Sequence, residues 1–483
     1  MKKIIVFAVV LALLVPAAAF AATEFSLGGF IKLDAMWDSD SSVHKNLFRP
    51  PARNNDSNVK HGRLMFTAQG SRFSFTIKGP DLWSAKTSGF LEMDFDAAQE
   101  GVNSIAFGGA SRSYTPRLRH AMFRFNWPTS ELLFGQFWSM FCEWYAESAE
   151  DGPLMMTGTP TARLAQVRFT QKFMSDWTVA ALIGDPNQAT LPATAYYNVP
   201  ENAINNGRAA ESPQVQGKVQ YQHDFWGKAA YYGRPIPFTA QVVAGWQRNV
   251  LRQQNFALNT LGTNINSVGA VVENALSANA NFNSQNQYLN PWMVMGSLFI
   301  PVIPTHTANL AGTASILTQW WIGQGVEVFG FSGVASNLYK FNNNLNQKWT
   351  YDAYLLKKFG GFVEGQYYFN NQWFVNALYA VSKAYGVSRA RYNWIAGING
   401  LNSMEWGMGD NAHTIQQASV TLWYRPIQAF KFGLQYSYAA AHYYQYILPT
   451  ARPALVPAAP ANTVNRSNFG DSHRVEFVGF FYF

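Results

Sequence analysis

The last twelve residues of the chain, Ser472 to Phe483, constrain the fold more than any other stretch. In this segment Val475, Phe477, Gly479, Phe481 and Phe483 alternate with Arg474, Glu476, Val478, Phe480 and Tyr482. A period of two predicts a β-strand with two different faces. The strand could form the edge of a soluble sandwich, but such a protein gains little from an exposed aromatic end. The pattern favours the wall of a membrane barrel, where one face meets hydrocarbon and both strand edges are paired.

The N-terminus indicates export. Lys2 and Lys3 precede an apolar run, Ile4 to Val15, that is too short to span a membrane comfortably as a mature helix. Ala19 and Ala21 are small residues at the two positions that a signal peptidase reads. We therefore predict a signal peptide over residues 1–21, cleaved after Ala21, and a single barrel domain over residues 22–483. Since no later run of eighteen apolar residues follows, a membrane protein with this sequence must be a barrel.

The composition excludes several classes of function. The chain has 36 basic and 28 acidic residues. Loss of Lys2 and Lys3 with the signal peptide leaves a net charge of about +6. The sequence contains no run of Lys and Arg residues that would indicate nucleic-acid binding. Cys142 is the single cysteine, which excludes an intramolecular disulfide, an iron–sulfur cluster and a c-type haem motif. The motifs GxSxG and HExxH and the phosphate-binding loop are absent, so we predict no cofactor, no metal site and no enzyme.

Alternating segments recur along the chain and predict about sixteen strands. They lie near residues 25–37, 62–78, 91–96, 117–127, 131–139, 165–172, 177–184, 214–222, 238–249, 291–300, 314–326, 361–369, 373–384, 413–424, 430–440 and 472–483. The parity slips near Gly70 and Ser71, which indicates a bulge. Short turns alternate with long polar loops, as is typical of periplasmic turns and extracellular loops, and an even strand number puts both termini on the periplasmic side. Five tryptophans beside the turns suggest an aromatic girdle at that interface: Trp127, Trp177, Trp226, Trp373 and Trp423.

The polar face of these strands points to the interior. Gln, Lys, Arg, Glu and Asp occupy it on nearly every predicted strand, which makes no dry core. We therefore predict a water-filled lumen, because about sixteen strands enclose a channel that is wide enough for one.

Several motifs resemble those of the Gram-negative outer-membrane porin superfamily, and the DcaP-like porins match best. The resemblance covers the first third of the chain and rests on Gly29-Phe30-Ile31-Lys32-Leu33-Asp34-Ala35, Gly70-Ser71-Arg72-Phe73-Ser74-Phe75, Gly89-Phe90-Leu91-Glu92-Met93-Asp94-Phe95, Arg117-Leu118-Arg119-His120-Ala121 and Leu133-Phe134-Gly135-Gln136-Phe137-Trp138-Ser139. The terminal Phe481 and Phe483 resemble the C-terminal signal that the barrel assembly machinery reads. The resemblance implies a homotrimer in the cell outer membrane, in contact with lipid and lipopolysaccharide, with the third long loop folded into each pore. It also implies passage of small anions such as dicarboxylates. The chain differs from the DcaP-like porins in having no helical extension before its first strand.

By this resemblance the third loop, Met140 to Thr161, forms the constriction. Its acidic side chains, Glu143, Glu147, Glu150 and Asp151, would face the wall. Basic residues on the inward parity of neighbouring strands would form a pore row, which comprises Arg72, Arg124, Arg168, Lys172 and Lys218. Separated opposite charges in a narrow aqueous pore make a transverse field, and arginines attract carboxylates. Alternatively, the arginines only neutralise the lumen acids of a neighbouring strand, which are Glu92, Asp94 and Asp96.

Other functions remain open at this stage. An outer-membrane enzyme would need an acid–base pair, for which His120 with Asp94 or Asp96 is the best candidate. The aromatic content also allows a selective importer of aromatic or hydrocarbon substrates. A third alternative is the barrel sheath of an outer-membrane cytochrome conduit.

Overall fold

A computed structural model describes residues 24–40, 51–56, 59–96, 115–152, 154–155, 157–186, 210–253, 256–257, 285–330, 337–344, 348–385, 403–406, 412–443 and 467–483. The predicted signal peptide lies outside these residues, as do parts of every long loop that the sequence predicts.

The described chain folds into twenty-five strands and two short 3₁₀ helices. The strands are β1 (Glu24–Asp38), β2 (Arg63–Thr67), β3 (Arg72–Lys78), β4 (Lys86–Asp94), β5 (Arg117–Asn126), β6 (Ser130–Trp138), β7 (Arg163–Phe173), β8 (Trp177–Gly184), β9 (Gln214–His223), β10 (Ala229–Tyr231), β11 (Arg234–Ile236), β12 (Phe238–Trp246), β13 (Asn249–Gln253), β14 (Phe256–Ala257), β15 (Gln285–Leu289), β16 (Trp292–Ile303), β17 (Ala314–Gln324), β18 (Asn337–Asn344), β19 (Lys348–Leu355), β20 (Lys357–Tyr368), β21 (Trp373–Tyr385), β22 (Ser403–Trp406), β23 (Ala412–Ile427), β24 (Phe430–Tyr443) and β25 (Phe469–Tyr482). The 3₁₀ helices are Met140–Cys142 and Val326–Phe329. No helix of the described residues is long and apolar enough to cross a membrane.

The main sheet closes on itself as an antiparallel barrel. Seventeen of the strands form it, and β2 and β3 pair in succession with the single strand β1, so the described barrel has sixteen wall positions. The last strand closes the ring, because Phe30 to Asp38 of β1 pair with Tyr482 to Arg474 of β25. Closure leaves the barrel wall without a free edge. The predicted fold class is confirmed.

The outward face of the barrel is apolar, as the sequence predicts. On β25, Val475, Phe477 and Phe481 are about two-fifths exposed, whereas Arg474 and Glu476 between them are fully buried. The same alternation runs around the wall and leaves large apolar side chains exposed on the outside. Examples are Ile31, Leu33, Phe66, Phe123, Val167, Val219, Val242, Trp320, Ile322, Val420 and Leu434.

Two irregularities change which residues face the lumen. The parity slip near Gly70 is confirmed, because Ala68 to Ser71 form a turn between β2 and β3. A second irregularity, which the sequence pattern does not predict, lies in β5, where Glu92 pairs with His120 and Met93 pairs with Leu118. The residue that this shift passes over, Arg119, is buried inside the barrel.

Short connections gather at one end of the barrel, the turn end, and the long loops leave from the opposite end, the loop end. Trp177, Trp226 and Trp373 lie at the turn end and are about two-fifths exposed, in keeping with a girdle. The prediction is wrong for Trp423, which is fully buried and faces inward. Its indole Nε1 donates a hydrogen bond to Asn376 Oδ1 at 2.8 Å.

The interior of the barrel differs in packing between two sides, which we call the dry half and the wet half, and the densely packed dry half departs from the predicted water-filled lumen. Along β16 to β25 the inward positions include large apolar residues that are almost fully buried, among them Phe299, Leu317, Phe362, Phe374, Leu378 and Val478. On β3, β4 and β9, inward side chains such as Ser74, Glu92 and Gln220 remain half-buried. Because the β3–β9 side keeps such partly exposed inward side chains, we call it the wet wall, although Leu133, Leu164 and Leu182 on its middle strands are buried.

We predict that a new charge destabilises the barrel more on its outer face than on its lumen face. Leu434 lies within β24 and is 54% exposed on the outer face, so Leu434→Arg should cost about 2–4 kcal/mol of folding free energy in lipid vesicles. The control, Gln220→Arg on the wet wall, should cost less than about 1 kcal/mol, because its guanidinium stays in water. Urea titration of each variant in vesicles measures both values. Equal costs would contradict the assignment of the two faces.

Candidate functional site

The loop after β6 turns into the barrel and fills the dry half; we call residues 139–162 the constriction loop. It begins with Ser139, whose side chain accepts a hydrogen bond from the Phe141 amide and caps the first 3₁₀ turn. The Cys142 thiol donates to the Pro160 carbonyl at 3.2 Å and accepts from the Ala162 amide at 3.0 Å. These two bonds tie the outgoing and returning arms of the loop together.

Two acidic side chains of the loop, one near its start and one near its middle, form ion pairs with the wall. Glu143 lies 3.3 Å from Arg168 and 2.6 Å from Lys218, through its two carboxylate oxygens. Asp151 lies 2.9 Å from the ammonium of Lys32, a side chain of β1 that is fully buried. These contacts place the loop acids against wall cations on opposite sides of the barrel.

The centre of the loop is held by a buried polar cluster, the latch, around Glu147. Its carboxylate is ion-paired with Lys431 of β24 and accepts a hydrogen bond from Gln366 of β20 at 2.8 Å. The backbone carbonyl of Glu147 accepts from Asn376, and its amide donates to Glu364 Oε1 at 3.1 Å. Every one of these side chains is at least nine-tenths buried. Each polar group of the latch therefore depends on the others for its hydrogen bonds.

Wall amides fix the loop on either side of the latch. Gln435 Oε1 accepts from the Ser148 hydroxyl at 2.9 Å and from the Ala149 amide at 2.8 Å. Gln417 Nε2 donates to Glu150 at 2.8 Å. The inward glutamines that the sequence marks as lumen lining are therefore, in this half, the anchors of the loop.

Glycine makes the close approach of the loop and the wall possible. A Cβ at Gly158 would lie 2.5 Å from the Gly361 carbonyl oxygen, and Trp321 donates its indole N–H to the Gly158 carbonyl at 2.8 Å. A Cβ at Gly245 would lie 2.7 Å from the ring of Phe141. Larger residues at these positions would push the loop off the wall.

A second insertion enters the lumen from the turn end. Residues 224–237, between β9 and β12, carry the β10–β11 hairpin, and we call them the inner hairpin. The Tyr232 hydroxyl donates to the Ala146 carbonyl at 2.8 Å, and the Tyr145 amide donates to the Tyr231 hydroxyl at 3.2 Å. The inner hairpin thus supports the constriction loop from below. This hairpin could not be predicted from the local sequence pattern, because its contacts join residues 86 positions apart.

Several arginines of the wet wall form ion pairs with the lumen acids. Arg117 lies 2.7 Å from Asp94 and 3.2 Å from Asp96. Arg119 lies 2.6 Å from Glu92 and 2.7 Å from Asp94. The alternative reading, in which arginines neutralise these three acids, therefore holds for two arginines that the predicted row did not contain.

Two other arginines of the wet wall have no acidic partner within ion-pair distance among the described residues. Arg72 lies with its guanidinium carbon 5.2 Å from the ring centroid of Phe30. Arg163 lies with its guanidinium carbon 4.9 Å from the ring centroid of Trp138. One guanidinium nitrogen of each, Arg72 Nε and Arg163 Nη1, is buried without a hydrogen-bond partner.

The structure separates the members of the predicted basic row. Arg168 and Lys218 share Glu143 of the constriction loop, and Arg72 faces Asp94 in the β3–β4 register. Arg124 lies near the turn end and is ion-paired with Glu131 at 3.2 Å. Lys172 is exposed at the turn end.

His120 does not pair with Asp94 or Asp96. Its ring packs against Phe137 at 4.7 Å and Trp138 at 5.1 Å between centroids, and Nε2 lies 3.8 Å from Glu92. Within the described ranges, no group of three His, Cys, Asp or Glu side chains could hold a metal ion.

Several residues that shape the site were missed by the sequence analysis. They are Arg117, Arg119, Trp138 and Arg163 on the wet wall, and Lys32, Glu364 and Lys431 around the loop. Strand parity does mark Lys32 and Lys431 as inward, but which loop residue each one meets depends on the path of the loop.

Solved structures share this architecture. The outer membrane channel DcaP of Acinetobacter baumannii is similar with a TM-score of 0.60 and 15% identity, over 96% of this chain and 99% of that one. An anion-selective porin from Comamonas acidovorans is similar with a TM-score of 0.49 and 9% identity, over 95% of this chain and 100% of that one. No protein-family model and no curated protein sequence matches the chain. The likeness to DcaP shows that the chain has the fold of outer-membrane porin channels.

We predict that Lys431→Met weakens the fold by about 3–5 kcal/mol, because it leaves Glu147 buried without its cation. In a Glu147→Gln background the same change should cost less, since no charge is then stranded. Urea unfolding in vesicles of the four proteins of this double-mutant cycle measures the coupling. Equal costs in both backgrounds would show that the pair does not hold the loop.

Cys142 provides a second test of the loop. Burial raises the pKa of its thiol to about 11. Since the thiolate is the reactive form, the folded protein should resist maleimide labelling at pH 7 to 8 and react fully after denaturation. Mass spectrometry of labelled samples measures this. Rapid labelling of the folded barrel would mean that the constriction loop does not pack as described.

Proposed function

We propose that the protein is an outer-membrane porin that forms a water-filled diffusion channel for small hydrophilic solutes, with a preference for anions such as carboxylates. The barrel has an apolar belt outside and a hydrated, charged wall inside, which suits passage across a lipid barrier. We also propose export by the predicted signal peptide, insertion through the terminal Phe481 and Phe483, and assembly as a homotrimer.

The anion preference rests on how the charges of the lumen are paired. The constriction loop brings four acids into the barrel, and wall cations meet Glu143, Glu147 and Asp151 directly. Among the residues that the structure describes, Arg72 and Arg163 of the wet wall have no acidic partner within ion-pair distance. A narrow pore with low-dielectric walls strengthens the field of such charges, so anions are enriched along this side.

The filled half of the lumen also bears on the alternatives. The constriction loop and the inner hairpin occupy the β16–β25 side through many buried contacts. A barrel that sheathes a cytochrome needs that space for its partner. The structure therefore favours a narrow channel over a sheath.

We predict that the double variant Arg72→Ser, Arg163→Ser shifts the reversal potential under a KCl gradient toward cation selectivity. Arg124→Ser should shift it less, because Arg124 lies near the turn end beside Glu131. Planar-bilayer recordings of the refolded barrels measure both potentials. An unchanged potential in the double variant would contradict the proposed role of these arginines, and an inability of the native barrel to conduct would contradict the channel itself.

A further inference from the structure

We propose that the outer face of the barrel carries a binding site for one acyl chain of a phospholipid from the membrane leaflet at the turn end. The inference rests on the proposed function, since it requires the barrel to lie in a bilayer, and it adds a lipid site on a surface that the channel itself does not use. The site is an open apolar groove of about 530 Å³ across β8, β9, β12, β16 and β17. We call it the outer groove, and its lining includes Tyr221, Ala240, Val242, Gly296, Leu298 and Trp320.

Small residues form the floor of the outer groove. Gly296 of β16 pairs with Val242 of β12 on one side and with Trp320 of β17 on the other. A Cβ on Gly296 would meet only the Gln241 carbonyl oxygen, at 4.0 Å, and the φ angle of Gly296 is not in the left-handed region. Neither the backbone nor the packing of the barrel therefore requires glycine here. Glycine weakens a strand and often marks a place where a ligand approaches the backbone closely.

Aromatic side chains form the two walls of the outer groove. On one side the indole N–H of Trp320 donates a hydrogen bond to the Thr318 hydroxyl at 2.8 Å. The ring of Trp320 covers Gly361 of β20, where a Cβ would lie 2.7 Å from it, and so leans away from the floor. On the other side the rings of Trp177 and Tyr221 lie 4.9 Å apart between centroids. The groove is therefore held open by side chains that have partners of their own.

The outer groove runs from the turn end toward the middle of the wall. Trp177 is the first residue of β8, directly after a turn, and Tyr221 lies two residues before the end of β9 at the same end of the barrel. Gly296 lies near the middle of β16. Trp and Tyr favour the level of the lipid headgroups, so a lipid would have its headgroup beside Trp177 and Tyr221 and its acyl chain toward Gly296. In the proposed orientation this end faces the periplasm, where the leaflet consists of phospholipid.

The shape of the outer groove favours an acyl chain over other apolar partners. In a bilayer, lipid tails solvate apolar surfaces as well as protein does, so van der Waals contact decides what occupies a groove. A flexible chain can follow the floor and touch both walls, which multiplies its contacts relative to a chain that lies on a smooth wall. A second barrel would need a ridge of matching shape to reach Gly296 and Ala240. The groove therefore fits one lipid chain that stays longer than its neighbours.

A photoreactive lipid tests the site. The refolded barrel in detergent micelles receives phosphatidylethanolamine with a diazirine in the middle of one acyl chain, and mass spectrometry of peptides locates the adducts after illumination. We expect about fivefold more adducts per residue on the outward positions of β12 and β16 than on those of β21 and β23, because the groove gives contact on three sides. Excess unlabelled phosphatidylethanolamine should abolish this difference.

Two glycine variants provide the matched comparison. Gly296→Leu fills the floor and should reduce the adducts on β12 and β16 to the level of β21. Gly365→Leu is the control, because Gly365 is also an exposed glycine of the outer face with open space at its Cβ position, but it does not line the groove. This variant should label like the native protein. Heat-modifiable migration on gels confirms that each variant is folded.

Even labelling of the native outer face, or unchanged labelling of β12 and β16 in Gly296→Leu, would overturn the inference. So would occupation of the groove by a second copy, which would exclude the lipid probe and allow a bifunctional maleimide to join two copies of a Cys142→Ala, Val242→Cys variant. If Gly296→Leu does not fold, the adduct map of the native barrel decides alone. Planar-bilayer currents of the same preparations test the channel separately, so a failed lipid site and a failed channel are distinguishable.

Discussion

The buried contact between Glu147 and Lys431 is the interaction on which the interior of this barrel depends. It joins the middle of the constriction loop to the far wall, in surroundings where neither charge meets water. Such a pair is costly to bury and more costly to break, so its value lies in fixing one position for the loop. The neighbouring amides of Gln366 and Asn376 complete the cluster and leave the loop little freedom to shift.

Once the loop is fixed, the electrical character of the channel follows. The loop carries its acids to wall cations and buries them there, so those cations and acids largely cancel. The inner hairpin closes the same half from the turn end through Tyr231 and Tyr232. In the proposed channel, solutes would pass along the wet wall, where aromatic rings pack against the guanidinium groups of Arg72 and Arg163.

The strand pattern was sufficient to predict the barrel. It could not predict which residues pair across the lumen. A period of two is local, so the strands, the outward apolar face and the break at Gly70 could be predicted from the sequence. The shift at Arg119 carries no such signal, because it depends on how β5 pairs with β4. Trp423 is a different case, because its strand parity marked it as inward and only its position beside a turn suggested a girdle. The dry half could not be predicted because the constriction loop and the inner hairpin cover its wall. Both segments are far away in the sequence from the strands that they cover.

The most direct test of this account is the reactivity of single cysteines toward a charged, water-soluble thiol reagent in a Cys142→Ala background. Ser74 and Ser437 both face the lumen, the first half-buried on β3 and the second fully buried on β24. We expect Ser74→Cys to react rapidly in the folded barrel, whereas Ser437→Cys should react only after denaturation. Comparable reaction at both positions would contradict a lumen that is divided into a wet half and a dry half.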